Sequence, residues 1–206
     1  PPGEHYNVAL GKPYTTTPQN YDNTYPDTGG IELTDGIRGS DSMTDPAWVG
    51  FKSLDLPGGR EYELWPLKSI VIDLEDVKTI TSIQFNMKGG NKPWRILTFA
   101  SMAGELWMPL SENRDTNIWL TQLGSFGWHF TDTNGVSTDL SGAEMVACRY
   151  VRVDIELCNW NLMDEIEVMG YDGVKEGAVM AESGRDLENG RDYLVPSEET
   201  TGGIHD

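Results

Sequence analysis

The chain has 206 residues and a net charge of −18, from 33 acidic and 15 basic side chains. This balance argues against nucleic acid and anionic membrane surfaces as partners, because both are bound through clustered Lys and Arg. It suits hard cations such as calcium, which prefer oxygen ligands. Hydrophobic residues make up 38% of the chain, so we expect a folded protein. No segment approaches the ~18 apolar residues of a membrane helix, and no membrane insertion is expected.

The predicted elements are short strands separated by turns, and no 3.6-residue period extends over the length of a helix. The clearest pattern is the alternation of Ile83, Phe85 and Met87 with polar neighbours, which indicates a strand with one buried face. In chain order, the expected strands are 5–11, 47–51, 69–74, 79–88, 95–101, 105–110, 126–130, 150–157 and 164–171, with tight turns at 76–78 and 102–104. This succession predicts an all-β, antiparallel β-sandwich of the jelly-roll type.

The sandwich is expected over residues 5–171. Beyond it, residues 172–206 carry Asp, Glu, Gly and Arg with few large apolar side chains. We interpret them as a linker or as the start of a following domain.

Several motifs, taken in order, resemble the F5/8 type C, discoidin-like family that includes family-32 carbohydrate-binding modules. They are Asn7-Val8-Ala9-Leu10-Gly11-Lys12, Leu33-Thr34-Asp35-Gly36 followed by Trp48, Ile72-Asp73-Leu74, Ser101-Met102-Ala103-Gly104-Glu105-Leu106-Trp107, Arg149-Tyr150-Val151-Arg152-Val153, and Asp164-Glu165-Ile166-Glu167-Val168-Met169-Gly170. The resemblance implies a galactose-binding-domain-like sandwich. Ala103 departs from the family's pattern, which has Asp before this Gly, and the loops at 12–30 and 111–147 are long.

The resemblance also implies a structural calcium ion where the Asp-Gly loop meets the closing strand. Asp35 matches the loop carboxylate, Glu165 matches the first Glu of that strand, and Glu167 follows two residues later on the same face. Calcium takes six to eight oxygen ligands, so loop carbonyl groups around residues 37–41 would complete the shell. The alternative is that Asp35 caps a turn and Glu165 is a solvated strand residue.

Seven Trp residues exceed the usual need of one core of this size, and sugars bind by stacking on flat rings. If the middle strands alternate in direction, the loops 52–66, 89–94 and 111–118 share one end of the sandwich. The candidate ligand-binding residues at that end are Trp65, Trp94, Arg95, Arg114 and Trp119, and a second region contains Trp128 and His129. Trp48 and Trp107 are expected in the core, and Trp160 is expected to be structural.

These features predict a non-catalytic carbohydrate-binding module of a secreted or cell-surface multidomain bacterial protein, monomeric and bound to a polysaccharide or glycan. No phosphate loop, zinc-protease motif or nucleophile motif is present, so we expect no enzyme activity in this chain. The alternative is an extracellular adhesion or protein-binding domain of the discoidin type, with Trp65-Pro66-Leu67 as its apolar loop. An enzyme on the same fold would require acids converging in a groove.

Overall fold

The computed structural model describes residues 3–17, 24–40, 42–52, 67–88, 95–113, 124–126, 129–131, 137–139, 145–156 and 160–181. Strands account for most of these residues, and no helix that could cross a membrane occurs among them. The strands are β1 (Tyr6–Asn7), β2 (Tyr14–Thr17), β3 (Val49–Lys52), β4 (Leu67–Lys88), β5 (Arg95–Ser101), β6 (Met108–Asn113), β7 (Gly124–Phe126), β8 (His129–Thr131), β9 (Ser137–Asp139), β10 (Val146–Glu156), β11 (Trp160–Asp172) and β12 (Val179–Met180).

The strands form two layers that share β4. In the first layer, called the β11 sheet, β11 pairs with β1 and β3 along one edge and with the second half of β4 along the other, and β7 pairs with that half of β4. In the second layer, the β10 sheet, the order is β2, the first half of β4, β10, β5 and β6. Apart from the parallel pair β10–β12, these pairings are antiparallel, and they confirm the predicted all-β sandwich.

The sequence predicts two strands with a turn at 76–78, and the structure corrects this to one continuous strand of 22 residues. β4 pairs with β10 from Leu67 to Asp73 and again from Lys78 to Ile80, and from Lys78 onwards it also pairs with β11. Between these two stretches Glu75 has a φ of 68°, in the left-handed region, and its N–H donates to Asp73 Oδ1 at 2.8 Å. This local conformation replaces a turn with a bend that the hydrogen-bonded ladders pass through.

The connections place the open ends of both layers together. Glu156 pairs with Leu67 and with Arg95 in the β10 sheet, while Leu162 pairs with Lys88 in the β11 sheet. Only residues 157–159 separate Glu156 from Trp160, so their Cα atoms lie within about 15 Å. The strand ends that meet there, at what we call the loop end, are Lys52, Leu67, Lys88, Arg95, Asn113, Glu156 and Trp160. The bend of β4 lies at the opposite end, the bend end.

The core lies between the two layers. The predicted alternation is confirmed, because Ile83, Phe85 and Met87 are buried in it. They pack with the inward side chains of β10, among them Val151 and Val153. This packing specifies the register of the strands, and so decides which residues lie on their outer faces.

The described fold continues past the boundary expected at residue 171. β12 pairs in parallel with Val146 and Ala147 of β10, and Ala181 is buried in the core and donates its N–H to the Ala147 carbonyl at 2.9 Å. The composition of this segment gave no sign of this packing, since a single Ala fills the site. Residues 182–206 lie outside the described part of the chain.

Candidate functional site

The Asp35 loop lies against β11. Asp35 turns the chain locally, because its Oδ1 accepts a hydrogen bond from the Ile37 N–H at 2.7 Å. Gly36 follows with a φ of 82°, a conformation that favours glycine. The turn directs the Gly36 N–H towards Glu165 Oε2, at 3.0 Å. Asp35 therefore does cap a turn, and the same turn brings the loop to the closing strand as the sequence predicts.

Glu165 is fully buried, at 0% exposure, and so is not the solvated strand residue of the alternative interpretation. Its Oε1 atom is buried without a hydrogen-bond partner. Burial, followed by the negative charges of Asp35, Glu167 and Asp164, raises the pKa of the Glu165 carboxyl to about 8. An ionised carboxylate at this position would lack a compensating charge, so a proton or a cation would be needed to neutralise it.

Glu167 has a different partner. Its Oε1 accepts hydrogen bonds from the Arg38 guanidinium, through Nε at 3.1 Å and through Nη2. Among the described residues, no group of three or more His, Cys, Asp or Glu side chains has the arrangement of a metal site. The assignment of Asp35, Glu165 and Glu167 as calcium ligands stays a prediction, and Glu167 is already engaged with Arg38.

Asp164 is the residue at this site that the sequence analysis did not select. It is fully buried, its Oδ2 accepts hydrogen bonds from the Gly39 N–H and from Asn86 Nδ2, the latter at 2.8 Å, and its Oδ1 has no partner. Burial raises the pKa of the Asp164 carboxyl to about 6, although these hydrogen bonds oppose the shift. The sequence signal was the pair Asp164-Glu165, but strict strand alternation assigns adjacent residues to opposite faces.

Trp48 holds the loop above these acids. As expected, it is fully buried, and its Nε1 donates to the carbonyl groups of Ser40 at 3.2 Å and Ser42 at 3.1 Å. Gly39 lies directly against the indole, since a Cβ atom there would be 2.5 Å from Trp48 Cε2. Trp107, also expected in the core, instead lies on the outer face of the β10 sheet, where its ring is 5.7 Å from the Arg152 guanidinium carbon.

Of the predicted sugar-binding residues, Arg95 and His129 lie in described strands. Arg95 begins β5 at the loop end, and the ends of the neighbouring strands converge on the same side of the molecule. His129 begins β8 of the small β8–β9 sheet. Trp65, Trp94, Arg114, Trp119 and Trp128 lie outside the described residues. The register thus supports the grouping of loops 52–66, 89–94 and 111–118, and the role of the individual side chains stays a prediction.

A buried lysine at the loop end was not foreseen. Lys68 is one residue from the start of β4 and is 1% exposed, with its Nζ 5.4 Å from the centre of the Phe51 ring. Burial lowers the pKa of its ammonium group to about 8. Sequence reasoning treats Lys as solvent-exposed, so only the packing of the two layers reveals this charge within the sandwich.

Comparison with solved structures identifies the architecture. A chitosan-binding module from a chitosanase/glucanase of Paenibacillus sp. IK-5 superposes with a TM-score of 0.50 at 16% identity, over 80% of this chain and 99% of the module. A selenomethionine-labelled point mutant of the same module gives 0.51 at 14% identity, over 81% and 100%. The lectin domain of lectinolysin, solved with Lewis B antigen, gives 0.51 at 13% identity, over 82% and 97%.

These likenesses concern the fold alone, because the identities are low. No protein-family model matches the sequence, and neither does any curated protein. The path of the strands, the bent strand common to both layers and the structural neighbours agree with the resemblance carried by the sequence motifs. This chain has the discoidin-like, galactose-binding-like β-sandwich fold.

Proposed function

We propose that this chain is a non-catalytic carbohydrate-binding module that holds a secreted or cell-surface protein on a polysaccharide or glycan. The observation that carries the proposal is the convergence of the described strand ends at the loop end. The sequence places Trp65 two residues before β4, Trp94 directly before β5 and Arg114 directly after β6. Aromatic rings and guanidinium groups on loops at one end of a rigid sandwich suit sugar stacking and hydroxyl recognition.

The structural neighbours support this chemistry. One of them, present in two structures, is a module named for binding chitosan, and the lectin domain was solved with Lewis B antigen, so both are carbohydrate-binding examples of the same fold. Fold alone does not fix function, and the aromatic loop end is what directs the proposal towards glycans. Tethering by such a module raises the local concentration of the attached protein at the glycan surface.

A structural calcium ion belongs to the same proposal. The fit rests on a buried carboxylate oxygen without a partner, Glu165 Oε1, and on Asp35 beside it. When bound, the ion would supply positive charge that neutralises these carboxylates and would fix the 35–40 loop against β11. Glu165 lies three residues, about 10 Å, along β11 from Leu162 at the loop end, so the site would brace the ligand-binding end.

The test of glycan binding starts with a glycan array on the purified chain. With a ligand in hand, Trp94→Ala should weaken binding by about 10-fold or more, since aromatic anchors dominate such sites. Titration calorimetry gives the affinity, and melting curves establish that the fold survives. Tyr6→Ala is the matched control, because Tyr6 is an exposed aromatic paired with Gly170 towards the bend end, and its removal should leave affinity unchanged.

Two results would contradict the proposal. Unchanged affinity in Trp94→Ala with lost affinity in Tyr6→Ala would mean that the ligand binds at the bend end and not at the loop end. An array without any glycan ligand, together with binding of an extracellular protein through Trp65-Pro66-Leu67, would favour the adhesion alternative.

A further inference from the structure

Asp164 occupies an irregular position in β11. Met163 pairs with Met87 and Glu165 pairs with Asn86, so Asp164 has no residue opposite it in the β4 ladder. Such a bulge re-aims side chains and breaks the alternation of faces. Both carboxylates consequently face the same loop. Asp164 accepts a hydrogen bond from the Gly39 N–H, and Glu165 accepts one from the Gly36 N–H.

Each of these carboxylates has one oxygen engaged and one without a partner. Both residues are 0% exposed, and the atoms left over are Asp164 Oδ1 and Glu165 Oε1. Buried polar atoms without partners are rare in proteins, so two of them on adjacent residues of one strand require an explanation. Arg38, the base on this loop, forms its hydrogen bonds with Glu167.

We propose that Asp164 is a second carboxylate ligand of the cation site, beside Glu165. The inference rests on the proposed calcium ion and adds a residue to it. Two buried carboxylates and the neighbouring Asp35 make a strongly anionic oxygen site, which favours hard divalent and trivalent cations over monovalent ones.

Asn86 is a positioning residue in this arrangement. Its side-chain amide donates to Asp164 Oδ2 at 2.8 Å and is itself buried, so it holds the carboxylate in one orientation while Oδ1 stays available. Outer hydrogen bonds of this kind orient metal ligands in proteins. The Gly39 N–H acts on the same oxygen from the loop side.

Trp48 provides the readout. Its indole lies against Gly39, whose N–H contacts Asp164, so a terbium ion at the acid pair would be excited through this tryptophan. The experiment titrates terbium into the chelator-treated chain, follows its tryptophan-sensitised luminescence, and displaces it with calcium. The variants are Asp164→Asn, Glu165→Gln and Asn86→Ala, with Glu32→Gln as a control in the preceding segment, where Glu32 also has a buried oxygen without a partner.

Asp164→Asn should weaken terbium and calcium binding by roughly 10- to 100-fold, and Asn86→Ala should weaken it less, as expected for a ligand and its supporting group. Glu32→Gln should bind as the parent chain does. Asparagine keeps an oxygen for the Gly39 N–H, and circular dichroism and melting curves verify the fold of each variant. Should Asp164→Asn not fold, reduced affinity in Asn86→Ala alone would still support the proposal, and parental affinity there would overturn it.

The outcomes separate this inference from the proposed calcium ion. Parental affinity in Asp164→Asn with lost affinity in Glu165→Gln would overturn the role of Asp164 and leave the calcium ion in place. Absence of terbium and calcium binding in the parent chain would overturn both. Loss of binding in Glu32→Gln, with Asp164→Asn unaffected, would place the ion in the Asp27–Glu32 segment and overturn the inference.

Discussion

Two groups of buried charged residues lie on consecutive strands of this sandwich, and they are balanced differently. On β10, Arg152 and Asp154 form a two-fold hydrogen-bonded ion pair, with Nε–Oδ1 and Nη2–Oδ2 distances of 2.7 Å each. The Arg152 guanidinium also lies over the rings of Phe99 and Trp107. On β11, Asp164 and Glu165 are equally buried, and their carboxylates accept hydrogen bonds from the Gly36 and Gly39 N–H groups of the loop and from Asn86.

The difference distinguishes a buried carboxylate that is neutralised within the fold from one that is free to bind a cation. Both groups contain buried carboxylates on the outer face of a sheet. Asp154 has its compensation within the chain, whereas Asp164 and Glu165 leave buried oxygens without a partner. Burying a carboxylate charge without a partner is energetically costly, so the folded chain needs a neutralising charge that it does not supply itself. A proton or a cation can provide it.

The largest expected effect comes from breaking the balanced group. Arg152→Leu leaves Asp154 buried, at 2% exposure, without its cation, and should lower the free energy of unfolding by about 3–5 kcal/mol. Arg149→Leu is the control on the same strand, because its pair with Asp73 is half-exposed and should contribute far less. Urea denaturation measures both. If the double variant Arg152→Leu/Asp154→Leu regains the parental free energy of unfolding, each residue of the pair is needed only to neutralise the other. Equal losses in Arg152→Leu and Arg149→Leu would contradict the difference expected between the buried and the half-exposed pair.

The second prediction concerns pH and the unbalanced group. Because the pKa of Glu165 is raised from 4.5 to about 8 in the folded chain, the folded state holds the extra proton between these values. In chelator, the contribution of Glu165 to stability is therefore fully present below pH 4.5 and should be lost as the pH rises to about 8, by up to about 1.4 kcal/mol per pH unit. Glu165→Gln should flatten this slope, and Glu167→Gln should not. Melting curves from pH 5 to 8 that are parallel in the parent and Glu165→Gln would show that Glu165 is not the titrating group.

The smallest effect concerns the loop that covers the acids. In Gly39→Ala the new Cβ would lie 2.5 Å from the Trp48 ring, so the loop or the indole must shift. We expect a loss of about 1–3 kcal/mol in unfolding free energy, as for other overpacked sites. Tryptophan fluorescence should change together with the stability, since Trp48 is held by the same loop. Parental stability and fluorescence would mean that the loop yields freely and does not hold the acid pair.

The strand pattern was predictable wherever one face meets the core. Ile83, Phe85 and Met87 alternate with polar residues because β4 has one buried face, and that periodicity is a property of the sequence alone. Asp35 and Glu165 were likewise found from motifs, and the loop does contact Glu165. Burial of Arg152 and Asp154 was not predictable, since their polar outer face is covered by Phe99 of β5 and by Trp107, which precedes β6.

Irregular backbone was the main limit of prediction. The bend at Glu75 and the bulge at Asp164 both depend on which strand lies alongside, and no residue type announces them. A tight turn at 76–78 was the natural interpretation of Asp76-Val77-Lys78, and alternation alone assigns Asp164 to the wrong face. β12 was missed for a related reason, because two residues paired in parallel carry no recognisable period.

The continuous strand β4 also has a mechanical consequence. Its first half is hydrogen-bonded to β10 and its second half to β11, with Lys78–Ile80 paired to both strands, so a pulling force on one layer reaches the other along covalent bonds. Neither layer can detach without peeling β4 from a ladder, so the sandwich should yield as one unit when a tethered load strains it. If the module anchors a larger protein to a surface, as proposed, the force that it withstands therefore depends on whether β4 remains paired with both layers.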